Sequence, residues 1–165
     1  MPSHLRTPLL TLPAALVTAA VAVGAAPQTA PGGPFRPPVS PITVLASFDP
    51  PDQRWLAGHR GVDLAAAPGA EVLAAGAGTV VFAGRVADRG VVSVDHGTFR
   101  TTYEPVDASV AVGQQVAVGA VLGTLGEGAH CSLRCVHWGA RIGEEYIDPL
   151  ALITAYRPVL KTPLR

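Results

Sequence analysis

Apolar positions fall into three regimes along the chain. From Leu9 to Val23 they run almost unbroken, interrupted only by Thr11, Pro13 and Thr18. Residues 26–41, "APQTAPGGPFRPPVSP", carry no hydrophobic period at all. From Ile42 to Leu152 short apolar runs rich in valine and threonine alternate with turn residues. That third regime predicts strands over 79–84, 90–94, 98–103, 115–125 and 135–141, with "ADRG" and "DHG" as the turns between the first three. Past residue 25, only "DPLALITAY" (148–156) predicts a helix, a short terminal one with Asp148 as N-cap and Pro149 at its first position. The pattern therefore predicts an all-β, sandwich-like domain.

The first regime reads as a secretory signal. Arg6 supplies a positive start, the apolar run follows, and Val23, Gly24 and Ala25 are small residues suited to cleavage. The run is short for a membrane span, which needs about 20 apolar residues. An uncleaved anchor is the rival reading of the same stretch. The second regime reads as an extended linker stiffened by proline. The expected organisation is a signal over 1–25, a linker over 26–41, a domain over 42–155 and a tail over 156–165. An extracytoplasmic location follows from the signal, with no stable membrane insertion once it is cleaved.

Charge changes the picture only by exclusion. Twelve basic residues balance twelve acidic ones, and no basic stripe interleaves with aromatics, so nucleic-acid binding has no electrostatic footprint. "GAEVLAAGAGTV" (69–80) and "GQQVAVGAVLGTL" (113–125) echo each other, in the manner of the hairpins that carry biotin or lipoate. Those hairpins need a lysine at the tip, and the single lysine, Lys161, lies in the tail.

Candidate chemistry begins at "GHRGVDL" (58–64). His59 and Asp63 share parity in an extended segment and so face the same side; Gly58 and Gly61 argue against a helix. "CVHWGAR" (135–141) adds His137 from a distant strand. Two imidazoles and one carboxylate make a three-ligand set of the kind that leaves zinc a fourth position for water, whose pKa then falls to about 7. On spacing alone His137 reads either as a ligand or as a packed core histidine, and the donor set also accepts other divalent ions. Cys131 and Cys135 are the only cysteines. In an exported protein they suggest one disulfide; a fourth zinc ligand at Cys135, or a free thiol, are the other readings.

In the order of its motifs the chain resembles the lysostaphin-like, or LytM-type, zinc metallopeptidases of the beta-lytic family. The resemblance lies in "GHRGVDLAAAPGAEVLAAGAGTVVFAG", "VVSVDHG", "TTY", "VAVGQQVAVGAVLGTLG", "VHWGAR" and "YIDPLALI". It implies a compact antiparallel β-sandwich of the duplicated-hybrid-motif kind, one Zn2+ held by His59, Asp63 and His137, and hydrolysis of the peptide part of bacterial peptidoglycan. The sequence departs from that family at two places. The family's His-x-His is Cys135-Val136-His137 here, and its histidine two residues after a tyrosine is Pro105. Groups of that kind contribute about 10²–10⁴-fold each in rate.

Glu104, beside the second vacancy, is the candidate general base, against its reading as a solvated turn glutamate. His130 reads as a loop residue or one leaning over the groove, and His96 as structural. Trp138 and Phe82 read as groove lining or as core, and Arg141 carries no assignment. Two functions are open: a zinc endopeptidase cutting peptidoglycan peptide, or a non-catalytic relative that binds zinc or wall peptide and regulates a partner wall hydrolase.

Overall fold

A computed structural model describes residues 35–128 and 134–154 of the chain. The signal expected over 1–25, the tail over 156–165, and His130 and Cys131 lie outside the described residues. Within them the expected all-β fold stands: eleven strands and one short helix are described.

The strands are β1 (Val44–Ala46), β2 (Gly61–Ala65), β3 (Glu71–Leu73), β4 (Gly78–Val86), β5 (Arg89–Asp95), β6 (Arg100–Glu104), β7 (Val106–Ala108), β8 (Gln115–Val116), β9 (Val121–Leu125), β10 (Cys135–Ile142) and β11 (Glu145–Ile147). The larger sheet runs β1-β2-β10-β6-β5-β4-β8, with β11 paired to β10; the smaller runs β3-β9-β7. All the pairings are antiparallel. Helix α1 (Leu150–Thr154) closes the described part, and Asp148 Oδ1 accepts the Leu150 N–H at 2.9 Å, the expected cap.

Side-chain alternation decides which face of the large sheet meets the small one. Val62 and Leu64 of β2, Val92 and Val94 of β5, Tyr103 of β6, and Val136 and Trp138 of β10 are buried in a core with Val72, Val106 and Leu122 of the small sheet. Trp138 is thus core, not groove lining, while Phe82 stays partly exposed. The alternate residues of β2, β10, β6 and β5 are left for the opposite face, where the candidate chemistry lies.

Two expectations need correcting. The single strand expected over 115–125 is two, β8 and β9. A turn closes between them, with Ala120 N–H donating to Ala117 O, and Gly119 takes φ +77°, which favours glycine. The break moves the chain from one sheet to the other, as β3 and β4 do in the echoing segment. Nor does the packed region start at Ile42. Val39 is buried in the core, Leu73 N–H donates to Pro38 O, and Phe35 packs edge-on against His96.

His96 is structural, as expected. Its Nδ1 donates to Ala77 O at 2.8 Å and its Nε2 lies 2.8 Å from Thr101 Oγ1. Thr101 in turn shares a 2.8 Å hydrogen bond with the Tyr103 hydroxyl, which accepts the Ala75 N–H. Burial holds His96 below the usual imidazole range, against the pull of the Ala77 carbonyl and of Asp95. Burial also pushes the Tyr103 hydroxyl up to about 12, so it stays a neutral hydrogen-bonding group.

Candidate metal centre

Strand register brings the two halves of the site together. In the β2–β10 pairing His137 lies opposite Asp63. The two residues share the face turned away from the core, so imidazole and carboxylate meet: His137 Nδ1 is 2.9 Å from Asp63 Oδ1. His59 arrives from the segment before β2, where its backbone forms a bridge with Asp49. Its Nε2 is 3.1 Å from Asp63 Oδ1 and 3.1 Å from His137 Nδ1. The three residues expected from sequence therefore converge in one cluster that could hold a metal ion.

The protonation of His59 follows from its partner. His59 Nδ1 lies 2.6 Å from the Ser47 carbonyl, which only accepts, so Nδ1 carries the proton. A neutral ring then offers the Nε2 lone pair to the cluster, the arrangement by which a backbone carbonyl orients a metal-ligating histidine. His137 is held below the usual imidazole range chiefly by burial, opposed by Asp63 and Glu104 and aided by His59; the neutral ring is again the ligating form.

These donors fit a divalent cation. Three lone-pair atoms at 2.9–3.1 Å from one another repel unless a proton or cation lies among them. Ligand atoms around tetrahedral zinc, at bonds of 2.0–2.1 Å, are separated by about 3.3 Å, close to this spacing. Asp63 is only 3% exposed, and a carboxylate buried to that degree needs compensating charge.

Gly61 makes room for the His137 ring. A Cβ at Gly61 would stand 2.5 Å from Trp138 O and 2.6 Å from His137 Nε2. The glycine that argues against a helix in "GHRGVDL" thus has a second role.

Glu104 is no solvated turn residue. It ends β6 directly opposite His137 in the β10–β6 register, without any local slip. Its side chain is 22% exposed and lies 3.4 Å from Arg89 Nη1. It lines a cavity of about 320 Å³ with His137, Ser93, Thr102, Arg60, Arg100 and Arg141. Cys135 shares parity with His137 and is fully buried, yet stands outside the donor cluster. Ser47 and Arg89 were not singled out by the sequence, and Gly61 was read only as an argument against a helix.

Residues 57–149 match the family described as peptidase family M23. The chain is 47% identical over 153 residues to an uncharacterized protein of Mycobacterium tuberculosis, covering 86% of this chain, and it spans only 60% of that relative's length. Among solved structures, the SpoIIQ–SpoIIIAH pore-forming complex contains a chain similar at TM-score 0.64 and 25% identity, covering 73% of this chain and 90% of that one. A peptidase M23 protein from Pseudomonas aeruginosa is similar at TM-score 0.57 and 28% identity, covering 79% and 56%. Lysostaphin shares the fold at TM-score 0.58 and 20% identity, covering 69% and 51%.

Proposed function

The chain belongs to peptidase family M23, and on that premise we propose that it is an extracytoplasmic zinc endopeptidase acting on the peptide part of peptidoglycan. The observation that carries this reading is the triangle of His59 Nε2, Asp63 Oδ1 and His137 Nδ1. When bound there, zinc supplies a Lewis acid that polarises a carbonyl and lowers the pKa of a coordinated water to about 7.

The chain's own residues divide the remaining work. Ser47 O fixes the tautomer and direction of His59. Asp63, 3% exposed and within 3.1 Å of a nitrogen of each ring, brings negative charge to the cluster. Glu104 would take a proton, a role supported by its position across from His137 and by the use of a carboxylate as general base in other zinc peptidases. Arg89 Nη1, 3.4 Å from Glu104 Oε1, helps hold that carboxylate in position. Cys131 and Cys135 pair as a disulfide that pins the strand entering the site; the burial of Cys135 outside the donor cluster supports a structural role.

The second reading is a regulatory domain that binds wall peptide and a partner hydrolase without cutting. Cys135 and Pro105, where the family's two further histidines are expected, favour it, as does the likeness to a chain of the SpoIIQ–SpoIIIAH complex. Release of new amino groups from purified peptidoglycan by the zinc-loaded protein tests between the two. Release that is lost in His137→Ala supports the enzyme; none in the wild type at full zinc occupancy supports the regulator.

A further inference from the structure

The face that carries the metal cluster continues along β10 away from it. Register pairs His137 with Glu104, then Gly139 with Thr102, then Arg141 with Arg100. Like charges placed directly opposite in a sheet are destabilising, so the Arg141–Arg100 pair calls for a compensating anion. Across the cavity Arg60 adds a third guanidinium. Its Nη2 donates to the carbonyls of Arg54 and Leu56 at 2.7 and 2.9 Å, and it lies 5.9 Å over the Tyr146 ring. None of these partners carries a negative charge.

The available carboxylates do not neutralise the group. Glu104 belongs to Arg89. Asp95 is 3.7 Å from Arg100 with both side chains well exposed, where ion pairs contribute little. Glu144 is held by Arg54 at 2.5 Å; it and Glu145 line an adjoining cavity with Arg60 and Arg141, but among the described residues neither forms an ion pair with those two arginines. Gly139, midway, puts no side chain on the floor.

We propose that this groove is a carboxylate-recognition subsite, in which Arg141, Arg100 and Arg60 take an acidic group of the bound peptide. The proposal rests on the reading that the His59–Asp63–His137 cluster receives a peptide. Four residues of strand separate His137 from Arg141, about 13 Å. An extended ligand with its scissile bond at the cluster therefore presents its carboxylate about four residues away. Arginine suits the task because its planar fork meets a carboxylate through two parallel hydrogen bonds.

The test is calorimetric titration of the full-length protein with two peptides. One is acetyl-Ala-Glu-Ala-Ala with free carboxylates; the other carries Gln and a C-terminal amide instead. The acidic peptide is expected to bind at least about tenfold more tightly, and the double variant Arg100→Gln/Arg141→Gln to bring that ratio close to one at unchanged zinc content. Equal affinity for the two, no binding of either, a preference that survives in the double variant, or equally strong competition by inorganic phosphate would each overturn the proposal. Repeating the titration on chelator-treated protein separates the two readings. A carboxylate preference without any zinc binding sinks the metal site alone, and zinc binding without the preference sinks this subsite alone.

Discussion

His59 Nε2 and His137 Nδ1 face each other across 3.1 Å although 78 residues separate them in sequence. Two imidazole nitrogens approach that closely when one donates to the other or when both turn lone pairs to a shared cation. The Ser47 carbonyl occupies the proton of His59 at its other nitrogen. Asp63 Oδ1, within 3.1 Å of both, adds a third acceptor. The tautomer of His59 thus leaves its Nε2 lone pair directed into the cluster, as a metal ligand's would be.

Gly61 is expected to tolerate no side chain. In Gly61→Ala the new Cβ meets backbone at Trp138 O as well as the His137 ring, so the strands must separate or the ring must move. Stability should fall by about 1–3 kcal/mol, and zinc affinity by tenfold or more, as for loss of a ligand's support. Thermal melting and a zinc titration on the same sample check this. Unchanged affinity would mean that the ring position is not set by Gly61.

If the protein hydrolyses peptidoglycan, Glu104→Gln should lower kcat by about 10²–10⁴-fold while zinc content stays the same. Arg89→Gln should act in the same direction but more weakly, because it loosens the hold on the Glu104 carboxylate without removing the group. Full activity in Glu104→Gln would remove Glu104 from the chemistry.

Cys135→Ala is expected to keep its zinc. The donor cluster does not include Cys135, so the cost is one of stability, about 2 kcal/mol where the proposed short disulfide loop is opened. Loss of zinc at unchanged stability would instead make Cys135 a ligand.

Acid should weaken the fold through His96. Its pKa is lowered by burial, so the unfolded chain takes up the proton first. Stability contributed by the neutral ring is then present above the unfolded value of about 6.5 and is lost as pH falls through it toward the lower folded value. In zinc-loaded protein the melting temperature of His96→Phe should fall less between pH 7 and pH 5 than that of the wild type. The slopes should differ by at most one proton, about 1.4 kcal/mol per pH unit. Parallel slopes would leave His96 without a part in acid sensitivity.

Much of this site was legible because its signals are local. Parity alone put His59 with Asp63, and only the motif order joined His137 to them. The N-cap at Asp148 was equally local. What was missed depends on register, which a single sequence does not carry. Glu104 reads as either a candidate base or a turn residue until β6 is laid against β10, and the Arg141–Arg100 pairing exists only across that same ladder. Arg141 did share parity with His137, four residues away, but parity does not tell what faces it. The division of 115–125 into β8 and β9 failed for a different reason: uniform Val-rich composition hid a change of sheet that Gly119 alone marks.

The central claim is tested most directly by counting zinc. Wild type and His137→Ala, each purified without added chelator and checked for retained fold, would be analysed for metal by mass spectrometry. The expected result is about one zinc per wild-type chain and less than about a tenth of that in the variant. Zinc at trace levels in the folded wild type, or equal amounts in both proteins, would contradict a metal centre built on His59, Asp63 and His137.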